Sequence, residues 1–150
     1  MIDDPILSAA VIFILLILSA FFSGSETALT AASEGRLHQL SKKGNPSANN
    51  ILVLREHKER LIGAILLGNN LVNILASVLA TGIFLRYFGD AAIAYVTLVM
   101  TLLILIFAEV LPKTYAFSHA DRTALAIVPL VKPIVIVLAP VTHAIYLLVR

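Results

Sequence analysis

LIGAILLGNNLVNILASVLATGIFL, residues 61–85, runs for 25 residues without an Asp, Glu, Lys or Arg. A bilayer's hydrocarbon core is about 30 Å thick and takes about 20 apolar helical residues to cross, so this stretch predicts a membrane-spanning helix. Working outward, only Arg86-Tyr-Phe-Gly-Asp90 separates it from Ala91–Ala108, a second uncharged run that continues through Glu109 to Pro112 and Lys113. So short a connection makes the two helices an antiparallel hairpin. Upstream, Pro5 to Ser25 is also uncharged and predicts a further span. Its flank, Asp3 and Asp4, is acidic, and no small-residue cleavage site follows, so it reads as a retained helix and not a signal peptide.

Composition agrees. Of 150 residues, 59% are hydrophobic and 13% charged, with mean hydropathy +0.96, far above a soluble domain. The fold class is therefore all-α integral membrane, in one domain over residues 1–150, with three transmembrane helices at about 5–25, 61–85 and 91–112. No cysteine is present, which excludes disulfides, thiolate metal sites and cysteine nucleophiles. Nothing supports nucleic-acid binding.

Residues 33–60 carry Arg36, Lys42, Lys43, Arg55, Lys58 and Arg60 against three glutamates. Loops rich in Lys and Arg stay cytoplasmic, which puts the N-terminus outside and the chain back inside after the third span. Within this loop Gly44-Asn45-Pro46 reads as a helix end, a cap and a first-turn proline, splitting 33–58 into two short juxtamembrane helices. The last apolar stretch, 123–149, contains Lys132, His143, Pro129, Pro133 and Pro140. Three prolines bend or break a helix, so this segment is expected along the cytoplasmic interface or only partly inserted, with the C-terminus cytoplasmic.

Oxygen-bearing side chains recur where lipid should reject them. They are Ser23-Gly24-Ser25-Glu26-Thr27 at the inner end of the first span, Gly68-Asn69-Asn70-Leu71-Val72-Asn73 in the second, and Glu109 before Pro112 in the third. Asn70, Asn73, Ser77 and Thr81 share one helical face. The topology brings Ser25, Asn70 and Glu109 into the same cytoplasmic half. A carboxylate in a span costs on the order of 3 kcal/mol on insertion scales and by default marks a functional or paired site. Pro112 cannot donate to the Ala108 carbonyl, and Gly24 and Gly68 allow close backbone approach. One carboxylate, an amide, hydroxyls and carbonyls without sulfur or clustered histidine suit a hard cation such as Mg2+ or Na+.

Blander readings stand beside these. Ser8, Ser19, Thr97 and Thr101 are expected to bond their own helix backbone. Asn69 and Asn73 can equally glue helices or ligate, Glu109 can pair with Lys113 four residues on, and Glu26 is evenly balanced. His38, His57, His119 and His143 lack metal-ligand spacing and read as surface or interfacial residues. Ala76 and Ala80 form a small-residue pair that can pack protomers or arise by chance.

The stretches Ser23-Gly24-Ser25-Glu26-Thr27-Ala28-Leu29, Gly68-Asn69-Asn70-Leu71-Val72-Asn73-Ile74 and Ala108-Glu109-Val110-Leu111-Pro112-Lys113-Thr114 resemble the three signature stretches of the transmembrane domain shared by bacterial CorC and animal cyclin-M magnesium transporters. They occur in the right order, one per span. The resemblance implies a homodimer in the cell membrane that exports Mg2+ against an inward Na+ gradient, with an interfacial helical belt. It implies a largely dehydrated Mg2+ held by Ser25, Asn70 and Glu109 with nearby main-chain oxygens. Ser23, Gly68 and Asn73 complete the candidate set. Such proteins continue into cytosolic nucleotide-binding modules, which this sequence does not contain. It is thus expected to be part of a longer protein, and nucleotide regulation is not carried over.

The expected function is secondary transport, not enzymatic catalysis. The alternative is a membrane anchor and Mg2+ sensor that signals to cytosolic domains. An intramembrane hydrolase lacks a Ser-His pair or paired aspartates.

Overall fold

The computed structural model describes residues 4–150, and among them there is helix and turn but no strand. The elements are α1 (Pro5–Ala31), α2 (Glu34–Lys42), α3 (Pro46–Glu56), α4 (Lys58–Phe88), α5 (Ala92–Leu103), a π-helical segment (Ile104–Val110), α6 (Leu111–Ser118) and α7 (Ala120–Val149). Asp3, one of the two acidic residues flanking the first span, lies outside the described residues. Four helical stretches are long and apolar enough to cross a membrane: Pro5–Ala31, Lys58–Phe88, Ala92–Ser118 and Ala120–Val149. The first three cover the expected spans to within one residue and extend beyond them. The last meets the same test of length and composition, so it is not set apart as the expected interfacial segment.

The expected break between α2 and α3 is present, with each residue in its anticipated part. Gly44 takes a φ of +86°, a conformation that penalises any side chain with a Cβ. The Asn45 side chain accepts from the Ser47 and Ala48 amides at 3.0 and 3.2 Å, and Pro46 opens α3 where no N–H is needed.

The prolines of α7 depart from expectation. The helix runs unbroken through Pro129, Pro133 and Pro140. The reason lies in their spacing: all three fall on one exposed face, opposite the buried stripe of Ala124, Val128, Val131, Val135 and Thr142. The missing N–H groups thus share one side of the helix, and no pyrrolidine ring is driven into the packed face.

The described residues group into two compact units, one drawn from Met1–Ser23 with Gly68–Pro112, the other from Gly24–Leu67 with Lys113–Arg150. In the first, Ala76 and Ala80 of α4 are buried with Val96 and Met100 of α5, and Ile12, Leu15 and Leu16 of α1 pack on them. These alanines therefore serve helix packing within the chain, and not the contact between protomers that was one reading of them. Small residues there let the backbones approach closely.

In the second unit α3 packs on both α2 and α7. Arg55 of α3 reaches the end of α1, where Nε donates to the Leu29 carbonyl at 2.8 Å and Nη2 to the Ala32 carbonyl at 2.7 Å. The last carbonyls of a helix have no intrahelical donor and carry the negative end of its dipole. A guanidinium satisfies both demands. One residue further on, the Ser33 amide donates to Asp121 Oδ1 at 2.6 Å, and Arg36 lies 3.6 Å from the other oxygen of that carboxylate. The end of α1 is thereby tied to α3 and to the first turn of α7.

Candidate functional site

In the first unit, three polar side chains from three helical segments meet. Ser19 Oγ of α1 donates to Asn69 Oδ1 of α4 at 2.8 Å, and Asn69 Nδ2 donates to Glu109 Oε1 at 3.0 Å. Ser19 is 0% and Asn69 7% exposed. Both ends of the amide are thus used, the acceptor by a hydroxyl and the donor by a carboxylate.

Local sequence explains how the groups reach one another. Ser19 and Ser23 lie four residues apart on α1 and are both fully buried, so they mark its inward face. Gly68, just before Asn69, takes the Phe22 ring against its backbone: a Cβ placed there would meet ring carbons at 2.7 Å. Glycine here is a close-approach residue, as expected. Glu109 sits in the π-helical segment, where the Leu111 amide bonds the Ile106 carbonyl in the wide register. The next residue is Pro112, which has no N–H to offer to the preceding turn. A π-turn inserts one residue and re-aims the side chains beyond it, a feature frequent at functional sites.

The remaining candidates are distributed as follows. Ser23 is buried, and so is Gly68. Asn73 is half-buried, with Oδ1 enclosed and unpartnered. Asn70 faces the exposed side of α4, and its neighbour Asn69 is the amide bonded to Glu109. Ser25 belongs to the second unit, where it is 1% exposed and its hydroxyl has no hydrogen-bond partner among the described residues. Glu26, also there, lies 3.7 Å from Lys113. No three His, Cys, Asp or Glu side chains gather as a metal group among the described residues.

Two expectations about hydroxyls divide. Thr97 and Thr101 bond the carbonyls four residues back, at 2.7 and 2.6 Å, as their type predicts. Ser19 does not: its proton goes across to Asn69. The expected bond to its own backbone is thus replaced by one between helices, and the four-residue spacing to Ser23 is the sequence signal that places Ser19 on the inward face. Beside Glu109 a cavity of about 380 Å³ is lined by Ser77, Thr81, Val96, Thr97, Met100, Thr101, Ile104 and Leu105 as well as the glutamate.

Comparison with known proteins adds the relationship. The family model described as "Cyclin M transmembrane N-terminal domain" matches residues 10–150. The UPF0053 inner membrane protein YfjD of Escherichia coli (strain K12) is 45% identical over 123 residues, covering 82% of this chain and 29% of that protein. A UPF0053 protein of Haemophilus influenzae is 45% identical over 114 residues, 76% of this chain and 27% of that protein. More distant is the Polyamine export protein of H. influenzae, 26% identical over 129 residues, 76% of this chain and 29% of its own length. The chain spans under a third of the length of these relatives. With helices of spanning length and a family match over nearly its whole extent, this multi-pass chain belongs to the cyclin M transmembrane domain family.

Proposed function

We propose that this membrane domain is a secondary transporter that exports Mg2+, with Na+ moving inward, through a dehydrated-ion site built on Glu109, Asn70 and Ser25 with Ser23, Gly68 and Asn73. Asn69 and Ser19 brace Glu109. The observation that supports this most is the bonded series from Ser19 through Asn69 to Glu109, which holds a carboxylate within a helix of spanning length. Stripping water from Mg2+ is the costly step, and a braced carboxylate among neutral oxygens offsets it without reorganising. The buried, unpartnered oxygens of Ser25 and Asn73 are further acceptors suited to a hard cation. Family membership supports the same reading.

On this reading three helices cross the bilayer, with the N-terminus outside, the C-terminus inside and 123–149 along the cytoplasmic face, and two copies associate. Mg2+ enters from the cytoplasm, exchanges water for side-chain oxygens and leaves outward as Na+ takes overlapping positions. Reconstituted in sealed vesicles, the chain is expected to move Mg2+, while Glu109→Gln and Asn70→Ala bind and move none. Wild-type flux in both variants removes the assignment. Binding without flux by the unaltered chain would favour the anchor and sensor reading.

A second reading is export of a polyamine. It has the name of the H. influenzae relative and the 380 Å³ cavity beside Glu109 in its favour, a space larger than one bare ion fills. Competition separates the two: spermidine that blocks Mg2+ uptake by the vesicles and is itself moved would favour it.

A further inference from the structure

Three threonine hydroxyls in the lining of the cavity beside Glu109 are one-sided in their hydrogen bonding. Thr81 Oγ1 donates to the Ser77 carbonyl at 2.8 Å, Thr97 to that of Ile93, and Thr101 to that of Thr97. A hydroxyl has one proton and two lone pairs. With the three protons committed to helix carbonyls, these threonines can only accept from whatever enters. Glu109 closes one end with a carboxylate. An anion would find no donor in these groups, whereas a cation finds oxygens from two facing helices.

The extent of the lining matters as much as its polarity. Thr97 precedes Glu109 by twelve residues, about 18 Å of helix, more than half of a hydrocarbon core of about 30 Å. The lining therefore runs from Glu109 past Ile104 and Leu105 to the hydroxyls of Thr101 and Thr97, toward the Arg86–Asp90 connection. Threonines bonded to their own backbone also sit comfortably against lipid. Against that stands their convergence from α4 and α5 on one cavity that ends at a carboxylate.

We infer that this hydroxyl-lined cavity is a hydrated lane by which the cation passes between Glu109 and the Arg86–Asp90 end of the helices. The identity of the ion rests on the transport reading above; the existence of the lane does not. The chain has no native cysteine, so Ser77→Cys, Thr97→Cys and Thr101→Cys are clean single reporters. Each is exposed in proteoliposomes, from either side in turn, to a membrane-impermeant cationic thiol reagent and to its anionic counterpart. Leu98→Cys and Leu102→Cys are the lipid-facing controls, since both leucines are exposed on α5 and neither lines the cavity. Only the thiolate reacts, and it forms poorly in lipid. The lane cysteines are expected to react about tenfold faster than the controls, and faster with the cationic reagent. Equal, slow reaction at all five positions overturns the lane, whatever the chain transports. In parallel, Thr97→Val with Thr101→Val keeps side-chain shape and removes the oxygens. Retained Mg2+-induced thermal stabilisation with Mg2+ flux about tenfold lower supports passage through the lane; undiminished flux contradicts it. Should the unaltered chain carry no Mg2+, the labelling result decides alone.

Discussion

Asn69 and Glu109, forty residues apart in sequence, are joined by an amide-to-carboxylate hydrogen bond of 3.0 Å. Ser19 completes the link from the third helix at 2.8 Å. Removing the amide leaves a hydroxyl and a carboxylate to find new partners in a medium that offers few. Asn69→Ala is expected to lower stability by about 1–3 kcal/mol, and Ser19→Ala by less. In a double-mutant cycle read by thermal unfolding in detergent, the two should couple by about 0.6 kcal/mol, the average for interhelical polar contacts in membranes, and by no more than about 1.7 kcal/mol. Additive losses would show that the Ser19 bond adds nothing.

The Phe22 ring against Gly68 makes a second, steric prediction. A Cβ at position 68 lands 2.7 Å from the ring, so Gly68→Ala should lower the melting temperature and Gly68→Val more so, by about 1–3 kcal/mol for an overpacked site. Phe22→Leu, which removes the ring edge, should restore much of the loss. No recovery in the double variant would mean that the glycine serves the backbone and not the ring.

Arg55 bonds two terminal carbonyls of α1. Hydrogen bonds to a charged group contribute about 1.5–3 kcal/mol, so Arg55→Ala should destabilise the chain within that range. Arg55→Lys should recover only part, because an ammonium is a point charge without the planar fork. Amide hydrogen exchange is the direct check: in the alanine variant, protection should fall at the last turn of α1 and at Ser33 while residues 92–103 keep theirs.

The orientation of α7 has its own test. With single cysteines at Ser41, in the basic loop, and at Leu148, which is 88% exposed, an impermeant reagent should label both from the same side if three helices cross. Labelling from opposite sides would make α7 a fourth span.

Much of this architecture was legible in the sequence because membranes impose long uncharged runs, and three such runs with a two-helix basic loop leave little choice. Gly44-Asn45-Pro46 was readable for the same reason: each residue has one chemistry and one place in a helix junction. What was not legible depended on faces and registers. The continuity of α7 through three prolines follows from their sharing one side, which the mere presence of proline conceals. The π-helical segment at Ile104–Val110 left no mark in residues that suit an α-helix equally well. That Asn69 is the buried amide bonded to Glu109, while Asn70 is exposed, turns on about 100° of helix rotation between adjacent residues. Spacing alone does not resolve such a difference when both are asparagine, and the bond of Ser19 across to Asn69 is not set by residue type, since a serine in a membrane helix more often bonds its own backbone.

The most direct test of the cation site is an experimental density map of the chain in Mg2+, with a matched map without it. The proposal predicts one metal near Glu109 with about six oxygen ligands at about 2.0–2.1 Å, drawn from Glu109, Asn70, Ser25 and adjoining backbone. A metal-free Glu109 in both maps, with its bond to Asn69 unchanged at saturating Mg2+, would contradict it.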